Sequence, residues 1–235
     1  MKIAIVDDDT HCLYDITLRL HEFESHREDI HFEIQTYSSS SGFLDNYHSQ
    51  YFDLVYLNVN IDDSKGIELA QIIRKRQSNC MIILIADHIE FVHESFAVQA
   101  FQYLQKPFDD ELFKSELQRA VHQYRYHKKA FILHTEKGKT VFHLKDIVYI
   151  ETSYSTYKIC TIKDFYYGQY KQAIKIKEEM LNYSFFKISR SLIVNLDYVK
   201  QFDYLSVIMS NGDILPIPRK RFKDFKRMFY EHVTK

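Results

Sequence analysis

Two places in this 235-residue chain gather side chains that do chemistry. The first is a set of residues at the ends of apolar runs. Ile3-Ala4-Ile5-Val6 leads into Asp7, Asp8 and Asp9, and Leu54-Val55-Tyr56-Leu57 ends at Asn58. Met81 through Ile85 ends at Ala86, and the shorter run Phe101 to Leu104 is followed by Lys106 and Pro107. Adjacent carboxylates at one strand end repel each other, and a hard cation such as Mg²⁺ is the usual remedy. Lys106 supplies a fixed positive charge nearby. The second place is Phe185-Phe186-Lys187-Ile188-Ser189-Arg190-Ser191-Leu192-Ile193-Val194-Asn195. There Phe186 and Ile188 alternate with Lys187 and Ser189, as on a strand with one buried face. Lys187, Ser189, Arg190 and Ser191 are the kinds of group that hold phosphate oxygens and read base edges.

The elements that must position the first set follow from periodicity. Continuous apolar runs mean strands covered on both faces, as in a parallel sheet. Helical spacing separates them: Leu13, Ile16, Leu20 and Phe23 after Thr10 as N-cap; Val92 and Phe96; Ile67, Ala70 and Ile73; and Phe113, Leu117, Val121 and Tyr124 after the acids of Asp109-Asp110-Glu111. Alternating strands and helices give a doubly wound α/β domain, whose function collects at the carboxyl ends of the strands. From residue 131 the pattern changes to short strands with turn signals, including Lys137-Gly138-Lys139 and Asn211-Gly212. A helix with Ile174, Met180 and Leu181 apolar and Lys171, Lys175, Lys177, Glu178 and Glu179 exposed interrupts them. A basic helix from Arg219 carries the stripe Phe222, Phe225, Phe229. Tyr103 and Phe101 fall on the last strand of the first half, at a face suited to dimerisation or to plain core packing.

Composition bounds the partners. Residues 1–130 hold 13 Lys+Arg against 21 Asp+Glu, while residues 131–235 hold 18 against 11. An acidic half joined to a basic half points to two domains with different partners, and the basic half favours a polyanion. Hydrophobic residues make up 46%, enough for packed cores, yet no apolar run approaches a membrane span. Cys12, Cys80 and Cys160 have neither paired nor metal spacing, so a reduced cytoplasm is expected. No Ser-His-Asp arrangement, Gly-rich phosphate loop or metal-spaced His cluster argues for an enzyme.

Residues 1–125 resemble the receiver domain of two-component response regulators. The residues that carry the resemblance are Ile5-Val6-Asp7-Asp8, Asp53-Leu54-Val55, Gly66-Ile67-Glu68-Leu69 and Lys106-Pro107-Phe108. The resemblance implies a flavodoxin-like α/β fold with a five-stranded parallel sheet and an aspartate at the end of the third strand that accepts a phosphoryl group. That position is Asn58 here. Ile61-Asp62 stand where Met-Pro is usual, and Ala86 stands where a Thr or Ser senses the phosphoryl oxygen. A carboxamide is a poor nucleophile toward phosphorus and brings no charge to a metal. The expectation is a pseudo-receiver, with Asp7, Asp8 and Lys106 kept as a polar cluster. No cofactor is expected, and Mg²⁺ binding at Asp7 and Asp8 is expected to be weak or absent.

After a linker at 126–130, residues 131–235 resemble the LytTR DNA-binding domain, a mostly β domain with short helices. The matching blocks are Asp146 to Glu151, Phe186 to Asn195, Asn211-Gly212-Asp213 and Ile217-Pro218-Arg219. The family lays loops into successive major grooves of direct-repeat duplex DNA. By resemblance, the contacts are Tyr157, the segment Lys187, Ser189, Arg190 and Ser191, and the helix start Arg219, Lys220 and Arg221. Ser189 replaces the usual His. The implied function is a sequence-specific transcription regulator, a homodimer, with a histidine kinase or other regulatory partner unidentified. The alternative is an interaction subunit that pairs with an intact regulator.

Overall fold

The computed structural model describes residues 1–47, 49–77, 79–88, 97–169 and 176–234, with residues 63 and 64 described by backbone alone. The helix expected around Val92 and Phe96, and the positions Lys171, Ile174 and Lys175, lie outside the described residues. The chain divides into two compact units, Met1–Tyr124 and Arg125–Lys235.

In the first unit, strands β1 (Lys2–Val6), β2 (Glu33–Tyr37), β3 (Leu54–Asn58), β4 (Met81–Ala86) and β5 (Gln102–Gln105) form one parallel sheet in the order β2-β1-β3-β4-β5. The continuous apolar runs become β1, β3 and β4, buried on both faces. Alternate residues of each strand feed separate cores. Ile3, Ile5, Tyr56 and Ile83 pack with Ile16, Leu20, Phe113 and Leu117 of α1 (Thr10–Ser25) and α5 (Asp110–Lys128). Ala4, Val55, Leu57 and Leu84 pack with Phe43 and Tyr47 of α2 (Ser40–Tyr47) and with Leu69 and Ile73 of α4 (Gly66–Arg76), which follows the single turn α3 (Ile61–Ser64). Two elements left little trace in the sequence. β2 is an edge strand with mixed burial, and α2 is short and serine-led. The N-cap of α1 is Asp9, not Thr10: Asp9 Oδ1 accepts the His11 amide at 2.9 Å, and Thr10 is the first helical residue.

The second unit opens inside α5. The stretch 126–130, expected as a linker, holds the last helical turn and the start of β6 (Ala130–Thr135), and Tyr126 is buried in this unit's core. A seven-stranded antiparallel sheet follows in the order β11-β12-β8-β9-β10-β6-β7. Its other strands are β7 (Gly138–His143), β8 (Ile147–Thr152), β9 (Thr156–Thr161), β10 (Phe165–Gln169), β11 (Phe185–Lys187) and β12 (Leu192–Asn195). A three-stranded sheet of β13 (Val199–Phe202), β14 (Ser206–Met209) and β15 (Ile214–Pro216) turns at Gly212, whose φ of +90° suits glycine. Tyr149 of β8 ties the two sheets together by donating its hydroxyl to Asp213 Oδ2 at 3.0 Å.

Helix α6 (Arg219–Val233) covers the second core. The expected aromatic stripe faces inward: Phe225 is fully buried and meets Phe186 and Phe202 edge-on, with Phe222 and Phe229 half-buried beside it. At the far end of α6, His232 Nε2 lies 2.7 Å from Asp197 Oδ1. The other oxygen of Asp197 accepts the Tyr126 hydroxyl at 2.7 Å, and Asn195 Nδ2 donates to that same hydroxyl at 2.9 Å. No helix among the described residues is long and apolar enough to cross a membrane.

Candidate functional site

The first site lies at the carboxyl ends of β1, β3 and β4. Gly66, at the start of α4, packs so closely against the end of β3 that a Cβ there would sit 2.2 Å from the Asn58 carbonyl oxygen. This approach fixes the strand end on which Asn58 sits. Asp7 is fully buried and Asn58 almost so. The Asn58 carboxamide lies between the two acids, with Nδ2 donating to Asp7 Oδ1 and to Asp8 Oδ1, each at 3.0 Å. Its Oδ1 accepts the Asn60 amide at 3.0 Å. That bond fixes the orientation, since the carboxylates are acceptors only and the oxygen already has its donor.

Lys106 completes the cluster, with Nζ 2.8 Å from Asp7 Oδ2. Burial alone would lower the ammonium's pKa, but the hydrogen bond to Asp7 and the surrounding negative charges outweigh it and hold the pKa above its ordinary value. Stability from a raised lysine is fully present below its unfolded pKa and is lost only as pH rises through the folded one, so the pair is intact across neutral pH. Burial, followed by the neighbouring Asp7, pushes the Cys12 thiol up, which keeps it protonated and unreactive. Ala86 is buried and brings no hydroxyl.

These residues do not fit a divalent cation as they stand. The lobe that Mg²⁺ would share between Asp7 and Asp8 is filled by the Asn58 amide hydrogens, and the Asn58 side-chain oxygen is turned away to Asn60. Among the described residues no group of three His, Cys, Asp or Glu side chains is arranged to hold a metal.

The second site joins three separated segments of the second unit. The end of β8 is tied to the segment after β11: Thr152 N donates to Ser191 O at 2.7 Å, and Thr152 Oγ1 to the same oxygen at 3.2 Å. The start of α6 is tied to β11, since Arg221 Nη2 donates to Lys187 O at 2.8 Å. The segment 187–191 therefore sits between the β8–β9 turn and the N-terminal turn of α6. Ser189 and Ser191 fold it locally, with Ser189 Oγ accepting the Ser191 amide at 3.2 Å.

Of the residues expected on this surface, Lys187, Arg190, Ser191, Arg219 and Lys220 are exposed and Ser189 is half-buried. Among the described residues, neither the Arg190 nor the Arg219 guanidinium has an ion-pair or hydrogen-bond partner. Two expectations are corrected. Tyr157 is 1% exposed, packs over Gly168 and donates its hydroxyl to His134 O at 3.0 Å, so it belongs to the sheet and not to a contact surface. Burial pushes its hydroxyl up to about 12. Tyr157→Phe should therefore cost about 1 kcal/mol in urea unfolding, the usual net worth of one buried hydrogen bond, and leave duplex affinity unchanged. Arg221 is committed to the fold: besides Lys187 O, it pairs with Asp224 Oδ2 at 3.0 Å and stacks 4.8 Å above the Phe186 ring.

A residue expected on a solvated helix face is instead inside. Lys177, in the helical residues 176–180, is 8% exposed, and its Nζ donates to Thr152 Oγ1 and to Arg190 O, each at 3.0 Å. The signal in the sequence was the pair Ile176 and Met180, which frame the lysine and are themselves buried.

Two protein families match this chain: the response regulator receiver domain over residues 3–118 and the LytTr DNA-binding domain over residues 137–230. Three relatives run nearly end to end with it. The sensory transduction protein LytT of Bacillus subtilis strain 168 is 23% identical over 247 residues, covering 98% of this chain and 99% of that protein. The sensory transduction protein LytR of Staphylococcus haemolyticus is 25% identical over 257 residues, covering 96% and 98%. The transcriptional regulatory protein LytR of Staphylococcus aureus strain bovine RF122 is 27% identical over 251 residues, again covering 96% and 98%.

Proposed function

The chain belongs to the LytTR response regulators, DNA-binding transcription regulators of two-component systems, and we propose that it works without phosphorylation of its receiver. The observation that carries this reading is the Asn58 carboxamide, which bridges the two acids where a phosphoacceptor and its metal would act. With no nucleophilic carboxylate at the end of β3 and no hydroxyl at Ala86, the first unit is a pseudo-receiver. Its polar cluster holds the fold and does not turn over phosphate. DNA occupancy is then set by dimerisation, by expression level or by a partner, and a cognate kinase is not needed for binding.

The DNA-facing surface is the junction of three segments described above. Arg190 and Arg219 contact base edges or phosphates bidentately, Lys187 and Lys220 hold phosphates, and Ser189 and Ser191 add hydroxyls. Two copies on a direct repeat form the working unit. A DNA partner and three free buried thiols suit the cytoplasm.

The test is a gel shift with purified, untreated chain on a duplex that the chain itself enriches from a random-sequence pool. Binding should be unchanged by a small-molecule phosphodonor with Mg²⁺. The log–log salt slope should be about −4 per protomer, as expected for some four neutralised phosphates. Binding that appears only after phosphodonor treatment overturns the phosphorylation-independent reading. Failure to enrich any duplex overturns direct DNA contact.

A further inference from the structure

The buried ammonium of Lys177 has a role that the cations around it do not share. It has no carboxylate partner among the described residues. Its two acceptors are the Thr152 hydroxyl and the Arg190 carbonyl, each at 3.0 Å, and they belong to two different segments of the candidate interface. Thr152, itself buried, ends β8 just before the turn into β9, and it also donates to Ser191 O. Lys177 thus closes a ring of hydrogen bonds that runs from the β8 end to the segment 190–191 and back. A buried cation without a counter-charge is costly to maintain, and an apolar side chain of the same length would fill the space as well. Burial, followed by the charge of neighbouring Lys187, lowers its pKa.

We infer that Lys177 is a positioning residue for sequence discrimination: its ammonium fixes the backbone of Arg190 against the end of β8, so that the Arg190 side chain and the β8–β9 turn reach the duplex in one register. This rests on the DNA-binding reading above. The physical reason is geometric. A backbone carbonyl held by a buried donor fixes the α-carbon bonded to it, here the one from which the Arg190 side chain begins, and a long arginine magnifies any error at its root. A base-reading contact tolerates little displacement, whereas a phosphate contact adjusts to it. Lys177 therefore contributes to the difference between right and wrong sequence more than to overall attraction.

The experiment compares the parent chain with Lys177→Met and Thr152→Val. Each is titrated onto the enriched duplex and onto a scrambled duplex of the same length, over a range of salt. The parent chain should prefer the enriched duplex. Lys177→Met should stay folded, bind scrambled DNA equally well with the same salt slope, and lose about tenfold in preference, the equivalent of one mismatched base pair. Thr152→Val removes one acceptor of the same ring and should lose preference in the same direction, and the two changes together should cost less than their sum. Unchanged preference in Lys177→Met overturns the inference. So does an equal loss on both duplexes with a salt slope shallower by about one, which would make Lys177 a phosphate contact. If Lys177→Met does not fold, Thr152→Val decides by the same criteria. A parent chain that prefers neither duplex fails the DNA-binding reading itself, a separate result.

Discussion

Asn58→Asp should lower the unfolding free energy at pH 7 by about 2 to 4 kcal/mol when no divalent cation is present. The parent carboxamide donates to two carboxylates at 3.0 Å, and Lys106 is already engaged by the far oxygen of Asp7. A third carboxylate in that place would replace two attractive contacts with two repulsive ones, in a pocket where Asp7 is fully buried. The new group escapes by staying protonated. Holding a proton at pH 7 costs about 1.4 kcal/mol for each unit between pH 7 and the unfolded carboxyl pKa near 3.9, which sets a ceiling of about 4 kcal/mol. The sign follows from proton uptake. The folded variant binds more protons than the unfolded chain, so its deficit grows as pH rises from about 4 to 7 and shrinks as pH falls. Urea unfolding at pH 5 and pH 7, with and without several millimolar Mg²⁺, measures both effects. Mg²⁺ should restore much of the variant's stability and leave the parent's midpoint where it was. A variant as stable as the parent at pH 7 without metal would mean that the amide is not bridging the acids.

The second large effect separates three arginines that look alike in the sequence. Arg190→Ala and Arg219→Ala should each weaken binding to the enriched duplex by about 1 to 3 kcal/mol. Both side chains are exposed and have no protein partner among the described residues, so unfolding should move by no more than about 0.5 kcal/mol. Arg221→Ala should behave the other way. It removes the hydrogen bond to Lys187 O and the cover over Phe186, so the loss appears first as about 1 kcal/mol of stability. Its effect on DNA should be indirect, through the freed start of α6. Equal binding losses from all three, with no stability change in Arg221→Ala, would remove the distinction drawn between gripping and bracing residues.

That distinction marks where the sequence stops being informative. Asp7, Asp8, Asn58 and Lys106 were legible because strand ends in a parallel sheet converge by topology, and the continuous apolar runs announced those strands. The direction of the Asn58 amide was not legible, since it depends on the Asn60 backbone. Tyr157 sits on a strand whose alternation gives two faces without saying which one is inward; Gly168 opposite it decides. The run Arg219-Lys220-Arg221 offers three cations on one turn, and only the partner across space, Lys187 O, singles out the third. Lys177 is illegible for a related reason: a charged residue among glutamates reads as solvated, but its acceptors come from Thr152 and Arg190, 25 and 13 residues away along the chain. β2 leaves little signal because an edge strand needs few apolar residues.

The closing helix α6 is fastened at both extremities, by Arg221 to the Lys187 carbonyl at one end and by His232 to Asp197 at the other. Since Asp197 also accepts the Tyr126 hydroxyl, the last turn of α6 is joined through one carboxylate to the entrance of the second unit. A purification handle attached at the carboxyl end would therefore act on a turn that is pinned to Asp197. The same handle at the amino end joins the other unit, which contains neither anchor.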